Sequence, residues 1–283
     1  MLLSYINWNV DPEMVRLFDA ISIRYYSLLF VSGLIVGYYI VKQIYLKEKE
    51  SVENLEKLAV FVFAGTVIGA RLGHCLFYEP GYYLSHPLEM ILPFKWAPGK
   101  SFEFTGYQGL ASHGGAIGVL TAILIYCRKY KVKFLWVLDR LAIATPVTGA
   151  FIRIGNFMNS EIIGSPTNSD YGIVFNRVDL LPRHPAQLYE AFSYILIFVL
   201  LLWFYSSHKE KRKDGFIFGL FLVLLFTARF LIEFFKINQV NFEDGMLLNM
   251  GQLLSIPFVL TGFTLMIWKR RLEQQVKKHG IKA

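Results

Sequence analysis

Phe134-Leu135-Trp136-Val137-Leu138-Asp139-Arg140-Leu141-Ala142-Ile143-Ala144-Thr145-Pro146-Val147-Thr148-Gly149-Ala150-Phe151-Ile152-Arg153-Ile154-Gly155 is the stretch on which the fold turns. It is long enough to cross a bilayer, which takes about 20 residues, yet Asp139, Arg140, Pro146 and Arg153 interrupt it. Around it lie apolar segments near 20–41, 58–78, 109–127, 187–206, 215–235 and 250–268. Counting the segment 134–155 as a span gives seven; rejecting it gives six and puts the two termini on one side.

Loop charge arbitrates. One alternate set of connections carries Lys42, Lys47, Lys49 and Lys57; Arg128, Lys129, Lys131 and Lys133; Lys209, Lys211, Arg212 and Lys213; and Lys269, Arg270, Arg271, Lys277, Lys278 and Lys282. The other set holds only Arg16, Lys95, Lys100, Arg177 and Arg183. The positive-inside rule then places the N-terminus outside and the C-terminus in the cytoplasm, which requires an odd number of spans. The fold class expected is therefore all-α: a polytopic membrane protein of seven transmembrane helices, read as one domain over 1–283.

Composition agrees. Of 283 residues 54% are hydrophobic and 18% charged, too few charges to cover a soluble surface of this size. Disorder, collagen and a disulfide scaffold are excluded on the same grounds. The net charge of +8 is largely absorbed by the cytoplasmic loops, so a nucleic-acid partner loses its support. Cys75 and Cys127 lack metal-type spacing and fall near opposite membrane faces, against a disulfide. Asp11, Glu13 and Asp19 lie where a cleavable signal would carry positive charge. The two long outer connections, 79–108 and 156–186, carry Pro, Gly and aromatic residues (Glu79-Pro80-Gly81-Tyr82-Tyr83, Pro93-Phe94-Lys95-Trp96), the composition of segments lying at the interface.

Ionisable side chains within spans cost about 2.5–3.5 kcal/mol at mid-helix, so each needs a reason. Snorkelling or an interhelical hydrogen bond would satisfy any one alone. Together they fall at one level: Tyr25 and Tyr26 on the first span, Arg71 and His74 on the second, and His113 on the third. Arg153 and Asn156 follow on the fourth, Gln187 and Glu190 on the fifth, and Arg229 and Glu233 on the sixth. A polar cavity open to the outer side is the reading expected.

Its chemistry reads in pieces. Ser112-His113-Gly114-Gly115 sets a histidine, a residue suited to general-base work, before glycines that admit a close backbone or ligand. In Arg153–Gly164, Arg153 and Asn156 share a helical face at i, i+3, and the guanidinium fork suits a phosphate. Asn156 and Glu161 could orient it or bind hydroxyls; an Arg–Glu pair closing a helix end is the plainer alternative. Arg229 and Glu233 stand at i, i+4, either a bridge or a ligand-facing arginine. His184-Pro185-Ala186-Gln187-Leu188-Tyr189-Glu190 opens the fifth span with a proline suited to a first turn. Gly251-Gln252-Leu253-Leu254-Ser255-Ile256-Pro257 could serve packing and a kink.

These strings, with Arg24-Tyr25-Tyr26 and Gly69-Ala70-Arg71, resemble the prolipoprotein diacylglyceryl transferases in order and almost from end to end. The Arg-x-Gly-Asn-Phe-x-Asn-x-Glu-x-x-Gly string is the most specific. The resemblance implies a bacterial cytoplasmic (inner) membrane enzyme that moves the diacylglyceryl group of phosphatidylglycerol to the lipobox cysteine of a prolipoprotein signal peptide, without metal or cofactor. It carries His113, Arg153 and Arg229 over as essential positions, and Tyr26, Asn156, Glu161, Gly164 and Glu233 as substrate-pocket positions. Leu225 stands where the family often has a tyrosine, and the outer loop after Gly164 is short. A transporter or flippase for an anionic lipid or solute would use the same arginines, but no internal repeat supports it.

Overall fold

The computed structural model describes residues 5–17, 21–92, 94–95, 103–104, 109, 111–207, 214–237, 243 and 245–279. Lys100, Trp96, Pro93, Asp19, Lys282 and the basic run Lys209–Lys213 lie outside the described residues. Two compact units divide the chain: Met1–Ile44 with Leu138–Ala283, and Tyr45–Val137.

In chain order the elements are β1 (Ile6–Trp8), β2 (Glu13–Leu17), β3 (Ile21–Arg24), α1 (Tyr25–Glu48), α2 (Val52–Phe77), α3 (Pro80–Ser85), α4 (Pro87–Ile91), β4 (Phe94–Lys95), β5 (Glu103–Phe104) and α5 (Ser112–Tyr130). They continue with α6 (Phe134–Met158), β6 (Ile173–Phe175), β7 (Pro182–Arg183), α7 (Ala186–Ser207), α8 (Phe216–Ile232), a 3-10 turn (Glu233–Phe235) and α9 (Met250–His279). Among the described residues six helices are long and apolar enough to cross a membrane: α1, α2, α6, α7, α8 with its 3-10 extension, and α9 over Met250–Ile267. The interrupted segment is one of them. The third expected span, 109–127, forms the 19-residue α5. His113 at one end and Arg128 and Lys129 at the other dilute its apolar run, so it falls outside the six.

The interruptions of α6 have structural uses. Asp139 is buried, and its carboxylate accepts the backbone N–H groups of Gly215 at 2.7 Å and Phe218 at 2.8 Å. Those are donors a helix start leaves unsatisfied, so Asp139 caps α8 from another helix. Arg140 Nη1 lies 3.9 Å from the same carboxylate. Pro146 is fully buried within α6. Thr148 Oγ1 donates to the Gly33 carbonyl at 2.9 Å, tying α6 to α1. Tyr194, Ile197, Leu201, Phe221 and Leu222 form the apolar core where α7 and α8 meet α6, and α8 packs along α9.

The larger unit also carries a small sheet in the order β1-β6-β7. Strand β1 pairs in parallel with β6 (Ile6 with Ile173, Trp8 with Phe175), and β7 pairs with β6 antiparallel. Trp8 anchors the N-terminal segment: its indole N–H donates to the Phe157 carbonyl at 3.2 Å, and its ring lies 4.3 Å from the Phe157 ring. The connection 156–186 is thus built into the fold rather than hanging free.

In the smaller unit α2 and α5 cross at backbone distance. A Cβ on Gly73 would lie 2.6 Å from Gly114 Cα, and one on Gly69 would lie 2.7 Å from Gly118 Cα. Lipid gives helices no hydrophobic reason to associate, so close packing through small residues supplies the contact. Gly114, read in the sequence as room for a backbone or a ligand, is occupied by the backbone of α2. Cys75 and Cys127 are both buried as free thiols.

Candidate functional site

A dense polar cluster of the larger unit forms where the end of α6, the start of α7 and the end of α8 meet the chain after Met158. Arg153, on the last turns of α6, sets its Nε 2.9 Å from Glu190 Oε2 on the second turn of α7, an ion pair in which that oxygen accepts no hydrogen bond from the described residues. Its Nη1 donates to Asn156 Oδ1 at 3.2 Å, so the expected i, i+3 pair is made. Asn156 Nδ2 passes the contact on to Glu161 Oε2 at 3.3 Å, and Asn159 Nδ2 donates to Glu161 Oε1 at 3.2 Å. Glu161 therefore orients Asn156, which orients the guanidinium. The Arg–Glu pair exists, but Arg153 makes it with Glu190 from another helix rather than with Glu161.

Lys236, which the sequence did not single out, completes the cluster. Its ammonium lies 3.1 Å from Glu190 Oε1 and 3.0 Å from Glu233 Oε2, with its side chain 2% exposed. Glu233 is thus taken up by Lys236, and among the described residues no ion pair joins it to Arg229. Arg229 is half-buried, and the Tyr194 hydroxyl approaches Glu190 Oε1 at 3.5 Å. Leu225, at the family's tyrosine position, packs in the apolar core. A Cβ on Gly251 would stand 2.6 Å from the Glu233 carboxyl carbon. The glycine that opens α9 is therefore where that carboxylate sits, a use that packing arguments from sequence did not give.

Two more expected residues are held here by backbone contacts. Tyr26 lies against α6 so closely that a Cβ on Gly155 would come within 2.9 Å of its ring. Gly164 donates its N–H to the His184 carbonyl at 2.9 Å and forms a bridge with Lys236. A side chain at Gly164 would strike His184 and, at 2.7 Å, the Phe235 carbonyl. Ser165 N donates to that carbonyl at 2.8 Å, so the segment 164–165 holds the Lys236 backbone in place. Gln187 is fully buried and donates to the Glu161 carbonyl at 2.6 Å. Pro185, expected in the first turn of the fifth span, precedes α7, and its carbonyl accepts from Leu188 at 2.9 Å.

The surroundings outside the spans are fixed by local pairs. Arg183 donates to both oxygens of Asp179 and holds that carboxyl below its usual range. Burial lowers His184, so its imidazole favours the neutral form, with Nδ1 3.1 Å from the Tyr189 hydroxyl.

The smaller unit carries the remaining expected residues. His113 is exposed in the first turn of α5. Arg71 departs from the reading of a residue facing a polar cavity. It is buried, donates to the Glu89 carbonyl at 2.6 Å and the Met90 carbonyl at 3.2 Å, and lies 4.9 Å from the Tyr83 ring. Its guanidinium binds the α3–α4 segment to α2. His74 is engaged likewise, 5.7 Å from the Tyr78 ring and 3.8 Å from Glu79. Among the described residues no group of three His, Cys, Asp or Glu side chains is placed to hold a metal ion.

A cluster of this kind, rich in arginine and carboxylate and set at the ends of apolar helices, can bind and stabilise an anion at a membrane surface. Comparison with known sequences narrows that. Residues 12–268 match the sequence model of the prolipoprotein diacylglyceryl transferase family. A phosphatidylglycerol–prolipoprotein diacylglyceryl transferase of Bacteroides fragilis is 52% identical over 267 residues, covering 94% of this chain and 96% of the relative. The enzyme of the same name from Tolumonas auensis is 52% identical over 261 residues, covering 92% and 96%. That from Chloroherpeton thalassium is 43% identical over 276 residues, covering 97% and 98%. With matches of this extent, the chain belongs to the prolipoprotein diacylglyceryl transferase family.

Proposed function

We propose that the chain transfers the diacylglyceryl group of phosphatidylglycerol to the lipobox cysteine of a prolipoprotein, the first step of bacterial lipoprotein maturation. It acts as a single domain over 1–283 in the cytoplasmic membrane, with seven spans, the N-terminus outside and the C-terminus in the cytoplasm. The observation that carries the reading is the Arg153 network, which occupies the family's specific string and joins Arg153, Asn156 and Glu161 in one hydrogen-bonded chain. The family match leaves the transporter reading without support.

In the proposed reaction, Arg153 and Arg229 take the phosphate of phosphatidylglycerol, the first through its planar fork. His113 accepts the proton of the substrate thiol, which with a free value near 8.5 is mostly protonated at neutral pH. The thiolate attacks the glyceryl carbon that bears the phosphate ester. The carbon–oxygen bond breaks, its electrons stay on the departing glycerol phosphate, and a thioether remains on the peptide. Charge gathers on the leaving phosphate, where an oriented cation in a dry site is worth about 3–4 kcal/mol. Tyr26, Asn156, Glu161, Gly164 and Glu233 shape the pocket, by contact or by holding the residues that make it.

The test is genetic. Expressed in a bacterium depleted of its own diacylglyceryl transferase, the chain is expected to restore growth and convert accumulated prolipoprotein to the lipidated form. Continued accumulation despite normal insertion would contradict the proposal.

A further inference from the structure

A buried ammonium is costly unless it is paired, and Lys236 is paired twice, with Glu190 and with Glu233. It arrives from the chain after the 3-10 turn, not from a helix surface. Its backbone N–H donates to the Glu233 carbonyl at 3.1 Å, and Lys236 forms an isolated bridge with Gly164. Glu190 is fully buried and stands between two cations, giving Oε1 to Lys236 at 3.1 Å and Oε2 to Arg153 at 2.9 Å.

An arginine and a carboxylate left alone favour a bidentate fork, two parallel N–H donors on two oxygens. Arg153 does not make that fork. Its Nε comes closest, 2.9 Å from Glu190 Oε2, without completing a hydrogen bond to that oxygen, and Nη1 is turned to Asn156 at 3.2 Å. The other oxygen of Glu190 is engaged by Lys236 at 3.1 Å and by the Tyr194 hydroxyl at 3.5 Å. The charged and titratable groups around the pair are Arg153 from α6, Glu190 and Tyr194 from α7, Arg229 from α8, and Glu233 and Lys236 from the turn that follows. Among these, Lys236 is the cation that holds both carboxylates.

We infer that Lys236 is a positioning residue of the transfer reaction: by holding Glu190 and Glu233 it keeps Glu190 from closing on Arg153, and so keeps the Arg153 fork for the lipid phosphate. The inference rests on the functional reading above and adds to it a residue that does not touch the substrate. Lysine suits the position because its ammonium is a compact point charge with three donors, able to serve two carboxylates without a preferred plane.

The experiment uses full-length purified protein in mixed micelles, with phosphatidylglycerol and a lipobox peptide varied in turn. Lys236→Met is expected to lower kcat/KM for the lipid by about 100-fold, the scale seen when a supporting change misplaces a reacting group. Most of the change falls in the lipid KM, and the peptide KM is unchanged. Lys236→Arg restores the charge and is expected to keep a lipid KM near that of the wild type, with Lys236→Gln intermediate. A lower kcat with both KM values unchanged in Lys236→Met would mark a merely structural lysine and overturn the inference. Should Lys236→Met not accumulate, Lys236→Gln decides: a lipid KM equal to that of the wild type overturns the inference as well. A wild type that transfers nothing would instead overturn the functional reading on which it rests.

Discussion

Arg153 Nε lies 2.9 Å from Glu190 Oε2, joining α6 to α7 through a carboxylate sealed from solvent. Removing one partner of a buried pair leaves the other uncompensated, at a cost of about 3–5 kcal/mol, so replacing Arg153 by a neutral residue would confuse stability with function. Arg153→Lys keeps the charge and separates the two. A point charge cannot serve Glu190, Asn156 and a phosphate in one plane, so the variant should insert normally and lose most of its activity. Transfer rate measured at matched protein level checks it, and near-normal turnover would reduce Arg153 to a structural residue.

Gly164 is expected to matter for a backbone reason. A methyl group there meets His184 Cβ at 2.6 Å and the Phe235 carbonyl at 2.7 Å, and relief requires moving the chain before α7 or the segment that carries Lys236. Gly164→Ala should destabilise by about 1–3 kcal/mol, the usual cost of overpacking, and should lower activity with it. Thermal unfolding in detergent tests the first part, and an unchanged melting temperature would contradict it.

Asp139 makes the opposite case, a charged residue within a span whose use is structural. Its carboxylate accepts from Gly215 and Phe218 at the start of α8. Asp139→Ala should cost about 0.5–2 kcal/mol, as cap removals do, while the protein that does fold turns over at the normal rate. Loss of specific activity without loss of stability would contradict the capping role.

These residues also show what the sequence could and could not reveal. Apolar length located the six helices long and apolar enough to cross a membrane, because crossing hydrocarbon demands it of the chain locally. The Arg153–Asn156 contact was legible for the same reason, since i, i+3 neighbours share a helical face. Lys236 was not, although Glu233 stands three residues before it, because its other partner, Glu190, is brought in by tertiary folding from α7, and a lysine at a span end reads as a snorkelling side chain. Arg71 carried a false signal. Hydropathy marks a buried charge as needing a reason, but not whether the reason is a ligand or, as here, the carbonyls of Glu89 and Met90. The parallel pairing of β1 with β6 joins residues far apart in the chain, with no periodic pattern to announce it.

The division of labour between His113 and Arg229 can be read from pH. If His113 accepts the thiol proton, its loss should be partly offset as pH rises, because more of the substrate thiol then ionises unaided. Arg229 stabilises a phosphate that stays anionic throughout, so its loss should not be offset. Rates of His113→Gln and Arg229→Gln from about pH 6.5 to 9 span the thiol's ordinary value. A rising profile for the first and a flat residual rate for the second are expected; parallel profiles would make His113 a positioning residue.

The most direct measurement is the mass of a lipobox peptide after incubation with the purified protein and phosphatidylglycerol of defined acyl chains. The account predicts a gain equal to one diacylglyceryl group on the cysteine, stable to neutral hydroxylamine because the link to sulfur is a thioether and the acyl chains are oxygen esters, with one glycerol phosphate released per peptide. It further predicts no gain when the cysteine is replaced by serine. An unmodified cysteine peptide, or a single acyl group lost to hydroxylamine, would contradict it.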